Sequence, residues 1–564
     1  MEYYIYGAGK NINTVLEQTT TPLNVFGVLD NDASKIGMEI GGIKVELADK
    51  FIKEKFNKEK HRIIVSVTQP IARREIEEEL VKIGLQKGKE FVMAGDICLF
   101  SSEQIPGAVT GVVKVPDGYV ARKSCDPNSY LVKSKENRLF RIIKPEGVKK
   151  TKNIYARCKE NCIFGRYLIN SWFPEDITDF GNEIVLEHEY IQPITYCYEW
   201  PPKMYSEYVE FMLNFLTELT KAGLRLSDPH GLNATVHEGK FIFLDFGAID
   251  EGVALPREII ELTNTLIFPL ILMRKGQIKR AYLYLEEHEL PMGIRDIWGY
   301  LTDKEIKRLS ETYERLIHAY TKEEVLENLI NLKKLIDEFG QKEKNCIWGD
   351  YQEDEWKRAD DRNLWTTKMK NVETMIKDVK PKSIVDIAGN QGWYGSCCRD
   401  IVDRAIVVDM DMDALDRLWN RIKNDDMRNV IPMKMSICAP SLGRHYDGLI
   451  DGNTIKPLRE CGCKRIKSEM AIALAIVHHL AFREHLSFEE IIRLLMSYTE
   501  RYLIIEYVEQ TDQFINNFIK VGYEWYTKDK FEECLKKYFE ILKVERSMPE
   551  ETRTLYLCEK KVKE

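Results

Sequence analysis

The chain has 564 residues, 44% of them hydrophobic and 30% charged, which predicts roughly three to five domains and excludes disorder as the main state. With 82 Lys+Arg against 90 Asp+Glu the net charge is -8, so there is no global footprint for nucleic acid, although a local basic groove stays open. No basic and then apolar leader begins the chain, no run of about 18 apolar residues predicts a transmembrane segment, and an odd count of 13 cysteines reads as reduced thiols, so a cytoplasmic protein is expected.

Residues 1–112 alternate strands with helices. A strand over Tyr3 to Tyr6 leads into Gly7-Ala8-Gly9-Lys10 and a helix over Asn11 to Gln18. A second strand, Val25 to Leu29, ends in Asp30-Asn31-Asp32, and a third, Ile63 to Val67, precedes a helix around Ala72 to Ile83. The alternation predicts a parallel sheet covered on both faces. Backbone N–H groups at Gly7 and Gly9 would meet a phosphate, and the acidic cluster a ribose. A third glycine is missing, since Asn13 or Thr14 stands in its place. A scaffold with an empty crevice is the alternative. The patterns YIYGAGK, VFGVLDND and KIGMEIGGIKV resemble the small Rossmann-like domain that precedes sugar acetyltransferases and recurs in surface-glycan enzymes. That resemblance implies nucleotide-sugar or glycan-related binding.

Gly107, Gly111, Pro116 and Gly118 punctuate the join to a second block, 113–346. A strand pair over Ser129 to Lys133 and Arg138 to Lys144, a helical stretch over Asn153 to Ile169, a strand over Ile184 to Tyr190 and a long helix over Tyr205 to Ala222 follow. A sheet followed by a helical lobe is the order of a two-lobed, protein-kinase-like α+β fold. Behind the long helix, Asp228 is followed by Asn233 and by Asp245-Phe246-Gly247. Phosphoryl transfer needs a carboxylate for the attacking hydroxyl and oxygen ligands for the magnesium on ATP. Asp228 is the candidate base, and Asn233 and Asp245 the candidate Mg2+ ligands, at the spacing of the D-x-x-x-x-N and D-F-G kinase elements. With His230 in the loop, the segment resembles sugar and small-molecule kinases of the aminoglycoside phosphotransferase type. No G-x-G-x-x-G precedes it; Lys144, with Arg141 as runner-up, is the candidate for the ATP phosphates, and Glu160 its carboxylate partner. A pseudokinase that positions a substrate is the alternative.

The third block, 347–564, begins with charged helix over Trp356 to Val379. Strands follow at Ser383 to Ile387, Ala405 to Val408, Ala471 to Val477, Tyr502 to Glu506, Ile541 to Ser547 and Thr554 to Leu557, the last two antiparallel. A seven-stranded α/β sheet of the class I methyltransferase kind is expected. S-adenosyl-L-methionine needs a glycine turn at the first strand end and a carboxylate on the next strand for its ribose. Asp386, Gly389 and Gly392 supply the first; Asp409, with Asp411 as second choice, supplies the other. A dinucleotide site uses similar parts. His478 and His479 stand where a general base is useful, one of them being expected in the core, and Glu506 is placed to orient a histidine or the acceptor. An anionic acceptor needs no base. Cys397-Cys398 and Cys461-Gly462-Cys463 lack a second Cys/His pair for zinc.

AIALAIVHHLAF and YLIIEYVEQTD resemble strands of nodulation-type methyltransferases. ITYCYEWPPKMY, LSDPHGLNATV, FIFLDFG and LIFPLIL recur in the same order in proteins joining a kinase-like segment to that methyltransferase, a likeness over about residues 115 to 560. Two departures stand out: Ser227 replaces a lysine frequent before the catalytic-loop aspartate, and Met435-Ser436 stands where an acidic residue often follows the third strand. The domain content is similar to that of O-antigen chain-terminating kinase–methyltransferases, with the order reversed. The resemblance implies a bifunctional enzyme of surface-polysaccharide assembly using S-adenosyl-L-methionine, ATP and Mg2+ on a sugar, glycan or sugar-phosphate acceptor. A methyltransferase with a pseudokinase module, and a non-enzymatic assembly scaffold, are the alternatives. No feature specifies an oligomeric state.

Overall fold

A computed structural model describes residues 2–9, 12, 25–40, 43–67, 70–87, 89–93, 119–123, 128–177, 180–181, 183–286, 292–339, 351–441, 461–515, 522–547 and 552–561. The helix expected over 11–18, apart from Ile12, together with Gly107, Gly111, Pro116 and Gly118 and the joins near 112 and 346, lies outside these residues. The chain divides into two compact units, one of residues 1–148, 172–190 and 441–462, the other of 149–171, 191–440 and 463–564. Among the described residues no helix is long and apolar enough to cross a membrane.

In the first unit, strands β1 (Glu2–Tyr6), β2 (Val25–Asp30), β3 (Glu39–Ile40), β4 (Ile43–Leu47), β5 (His61–Val65) and β6 (Phe91–Met93) form a sheet of order β3-β4-β2-β1-β5-β6. Only β3 is antiparallel to its neighbour. Ile5, Val28 and Ile64 pack on one face and Tyr6, Leu29 and Ile63 on the other, the two-sided burial that a parallel sheet requires. A second sheet holds β7 (Tyr119–Lys123), β8 (Ser129–Ser134), β9 (Leu139–Ile143), β10 (Ser171–Trp172) and β11 (Ile184–His188) in the order β10-β11-β9-β8-β7. The strand expected to reach Lys144 stops at Ile143, because Pro145 opens a 3-10 turn whose N-cap is Lys144.

In the second unit the helix Val148–Glu160 starts earlier and ends earlier than expected; Cys162 (φ 52°) and Gly165 (φ 69°) turn the chain into the left-handed region just beyond it. The helix Pro202–Lys221 then leads to β12 (Leu224–Leu226), the hairpin β13 (Ala234–His237) and β14 (Lys240–Phe243), and β15 (Ile249–Glu251), which pairs with β12. Helices between Pro256 and Glu338 complete this part.

The remaining strands are β16 (Ser383–Ile387), β17 (Arg404–Asp409), β18 (Val430–Lys434), β19 (Ser468–Ala473), β20 (Thr499–Val508), β21 (Phe539–Arg546) and β22 (Arg553–Lys560), in the order β18-β17-β16-β19-β20-β22-β21. Only β22 runs against its neighbours. Numbered from β16, this order is 3-2-1-4-5-7-6, that of the class I methyltransferase sheet. Strand β18, with Pro432 at its centre, lies at the edge, where the missing N–H of proline leaves no ladder bond unmade. The strand expected to reach Val477 ends at Ala473: Ala475 adopts φ 51°, and a short helix, Val477–Phe482, begins. The histidines therefore ride on a helix turn, not on a strand end.

The helical part and the seven-stranded sheet are packed together within this unit. Pro201, the N-cap of Pro202–Lys221, offers no side-chain acceptor; Asp416 accepts the Lys203 N–H at 2.8 Å in its place. Trp419, on the same helix as Asp416 (Met412–Asn424), donates to Glu207 at 2.8 Å. Arg465 donates to the Ile194 carbonyl and pairs with Glu199, both charged side chains being buried.

Candidate functional site

A turn rich in left-handed residues follows β16. Ala388 (φ 55°), Asn390 (φ 51°) and Gly392 (φ 73°) are all left-handed, and a Cβ on Gly392 would also press to 2.8 Å from Val407 Cγ2. Glycine is the residue that meets both demands. A Cβ on Gly389 would lie 2.7 Å from the Asp386 carboxyl carbon and 2.8 Å from Val407. The glycines thus let the loop close down on β16 and β17. Inside it, Asp386 accepts the Gly395 N–H at 2.8 Å. Burial pushes its carboxyl up to about 7, against the pull of that N–H and with the added charge of Asp409.

Asp409 stands half-buried at the end of β17 and joins the two loops: its Oδ2 accepts the Asn390 N–H at 2.7 Å and its Oδ1 the Asp411 N–H at 2.8 Å. Burial raises this carboxyl above its ordinary value. Asp411, the second choice for ribose, caps Met412–Asn424 by accepting the Asp413 and Ala414 N–H groups at 3.0 Å each. Asp409 is thus the carboxylate at the strand end, where ligands of open α/β sheets bind. The loop, its carboxylate and the end of β17 fit the methionine and ribose portions of S-adenosyl-L-methionine.

Across the sheet, Glu506 on β20 is fully buried. Expected to orient a histidine or the acceptor, it instead bonds Lys368 at 2.8 Å, the Ala475 N–H at 2.7 Å and Ser547, and among the described residues it bonds neither histidine. Burial would raise its carboxyl, but Lys368 and Arg553 hold it below the ordinary range. Its work is to fix the left-handed turn that leads into the histidines. His478 and His479 stand with ring centroids 4.4 Å apart, His478 buried and His479 half-buried. Burial, with the charges of His479 and Arg553, pushes His478 down to about 3; burial and Arg483 push His479 down to about 4. Both imidazoles are neutral at neutral pH. The same burial disfavours the imidazolium that a general base must become, which works against the role expected of them.

A second constellation lies between β12 and β15. Asn233 Nδ2 donates to Asp228 Oδ2 at 3.2 Å, and His230 Nε2 lies 3.1 Å from Asp228 Oδ1. Because His230 Nδ1 accepts the Leu232 N–H at 3.2 Å, the proton of the neutral ring belongs on Nε2, directed at Asp228. Glu261 joins them: ligand atoms of Asp228, His230 and Glu261 all lie within 4.8 Å of one another. Burial raises Asp228, but the bonds from His230, Glu261 and Asn233 bring it below its ordinary value; burial and the Asp228 charge drive Glu261 the other way. Although the three could surround a cation, a protonated Nε2 makes His230 a donor to Asp228. Leu244 N–H donates to Asn233 O at 2.6 Å, tying the Asp228 loop to the segment of Asp245, whose Oδ1 accepts the Gly247 N–H at 2.8 Å.

Of the remaining expected residues, Glu160 is the last residue of the helix Val148–Glu160 in the second unit, and the others belong to the first unit. Lys144 is exposed beyond β9, whereas Arg141 is buried within it and donates to Ser129 at 2.9 Å. Gly7 (φ 117°) is buried, and a Cβ on it would lie 2.6 Å from Val67; Gly9 is exposed with open space beside it. Asp30, expected to meet a ribose, accepts the Ala8 N–H at 2.7 Å and pairs with Lys35 at 3.0 Å. It closes its own turn.

Glu261 and Lys368 carry no motif. They lie 33 and 138 residues from the carboxylates they touch, and nothing in the sequence around either announces the pairing.

No known family model matches the chain. Over 406 residues, 67% of this chain and 82% of the relative, it is 22% identical to the nodulation protein NoeA of Rhizobium meliloti (strain 1021). Among solved structures it is similar to WbdD, at 13% identity and a TM-score of 0.24, over 34% of this chain and 39% of that one. It is similar also to magnesium protoporphyrin IX methyltransferase of Synechocystis PCC 6803 with bound SAM, at 11% identity and a TM-score of 0.25, over 40% and 88% of the two chains. The N-methyltransferase NodS of Bradyrhizobium japonicum WM9 with S-adenosyl-L-homocysteine matches at 9% identity and a TM-score of 0.26, over 38% and 98%.

Proposed function

We propose that the chain is a methyltransferase that binds S-adenosyl-L-methionine with residues 347–564 and methylates a sugar, glycan or sugar phosphate. The observation that carries this reading is the Asp409 carboxylate, bonded to Asn390 of the glycine loop at 2.7 Å and standing at the strand end. When bound, the cofactor supplies an electrophilic methyl group. Asp409 would accept the ribose hydroxyls, and the loop of Gly389 to Gly392 would take the methionine portion. The low basicity of His478 and His479 favours an acceptor that arrives anionic, or one that loses its proton to water, with orientation providing most of the rate. Calorimetric titration with S-adenosyl-L-methionine tests this reading; a folded sample that binds none overturns it.

The second activity in this reading is phosphoryl transfer by a kinase-like block, 113–346, favoured by the bond of Asn233 to Asp228 and the tie to the Asp245 segment. Asn233 and Asp245 would hold Mg2+ on ATP and Asp228 would orient the acceptor hydroxyl, His230 keeping that carboxylate in place. ATP turnover that survives Asp228→Ala and Asp245→Ala removes this activity and leaves the block as an acceptor-binding module. The block 1–112 would add a Rossmann-like nucleotide or nucleotide-sugar site at Gly7 and Gly9.

A further inference from the structure

Lys434 is the last residue of edge strand β18 and pairs in register with Asp409, the last residue of β17. Neighbouring parallel strands run about 4.8 Å apart with in-register side chains on the same face. The ammonium and the ribose-binding carboxylate are thus set side by side by the sheet, and Met435 N–H adds a bond to the Asp409 carbonyl at 3.1 Å. A lysine so placed would ordinarily pair with that carboxylate.

It does not. Lys434 is drawn away toward the helix Ile278–Glu286, with its side chain only 11% exposed. Its Nζ stands 3.7 Å from the centroid of the Tyr282 ring and 3.4 Å from Glu286 Oε1. The carboxylates that act on it are Glu286 and Glu199, both of the helical part. Tyr282 is itself fixed, buried and donating its hydroxyl proton to the Trp200 carbonyl. A desolvated ammonium needs compensation, and here the ring face and one carboxylate provide it.

We infer that Tyr282 and Glu286 are positioning residues of the cofactor site, holding Lys434 off Asp409 so that its carboxylate remains open to the ribose hydroxyls of S-adenosyl-L-methionine. The inference rests on the methyltransferase reading above. It makes the helical part a working half of the cofactor site, because the Tyr282 ring and Glu286 together hold an ammonium whose strand position is in register with the carboxylate the ribose needs.

The test is a double-substitution cycle in the full-length protein, read as S-adenosyl-L-methionine affinity by calorimetry beside the thermal midpoint. Tyr282→Leu is expected to weaken binding about tenfold, Tyr282→Phe to keep it, and Tyr282→Leu combined with Lys434→Met to restore it to within about twofold of the parent. A purely structural role for Tyr282 predicts no restoration, and a double variant as weak as Tyr282→Leu overturns the inference. Unchanged affinity in Tyr282→Leu overturns it also. Should Tyr282→Leu not fold, Glu286→Gln with and without Lys434→Met gives the same cycle at a half-exposed position. A parent protein that is folded but binds no S-adenosyl-L-methionine sinks the underlying reading instead, and is distinguished by failing before any substitution is made.

Discussion

Asp386 and Asp228 belong to the same unit, the first buried and the second with 35% of its side chain exposed, and their surroundings drive them apart. Asp386 receives one N–H, from Gly395, and lies near the charge of Asp409, so burial prevails and its carboxyl rises to about 7. Asp228 gathers donors from His230, Asn233 and Glu261, and burial loses. The contrast shows burial and a like charge prevailing at Asp386, and three donors together with partial exposure prevailing at Asp228. It also separates their uses: Asp386 is part of the wall that shapes the glycine loop, whereas Asp228 is kept ionised and partly open to solvent.

Substitutions can break this contrast or sharpen it. The largest effect is expected from Gly389→Val, whose side chain would enter the space of Asp386 and Val407; it should cost about 3 kcal/mol in denaturant unfolding and abolish cofactor binding. Asp409→Ala should weaken S-adenosyl-L-methionine at least about 100-fold by calorimetry, through two lost bonds to a charged acceptor, without unfolding the chain. Normal affinity in that variant would refute the ribose assignment. At the other carboxylate, Asp228→Ala should lower phosphoryl transfer about 100-fold or more while leaving S-adenosyl-L-methionine affinity intact. Joint loss of both would show that the two sites are one.

The smaller effects are in pH dependence. Glu261 is raised, so its folded form holds a proton more firmly than the unfolded chain does. Its contribution is complete below the ordinary carboxylate range and is lost as pH rises through the shifted value. Glu261→Gln keeps the neutral form throughout and should flatten the thermal midpoint against pH on the alkaline side. Asp386→Asn can still accept the Gly395 N–H and should gain a few degrees over the parent at pH 8 but not at pH 5, since the parent loses stability up to about 7. An equal shift at both values would mean that Asp386 is not the group titrating.

Much of this arrangement was legible in the sequence, for a physical reason. Glycine-rich turns and strand-terminal carboxylates are local features, so Gly389, Gly392 and Asp409 stood out, as did the spacing of Asp228, Asn233 and Asp245. The mostly parallel sheet and its closing antiparallel pair were expected, whereas the strand order 3-2-1-4-5-7-6 is set by long-range pairings that only the fold reveals. Ala475 escaped because nothing in the apolar run AIALAIV announces a left-handed residue, and its turn is fixed by Glu506, 31 residues away. Lys144 was placed on a strand that Pro145 in fact ends early. Glu261, Lys368, Tyr282 and Glu286 were silent because their partners come from distant parts of the chain, and no periodicity records such pairings.

The buried pair of Arg465 and Glu199 has a consequence for biosynthesis. The two residues are separated by 266 positions, so at about 5–20 residues per second a nascent chain carries Glu199 for roughly 13 to 53 s before its guanidinium partner has been made. Throughout that interval the turn Cys197–Glu199 lacks Arg465, and until residue 416 is made the start of the helix Pro202–Lys221 lacks Asp416 as well. The helical part therefore waits for residue 465 to close, and a ribosome stalled before it would present an unfinished surface to chaperones.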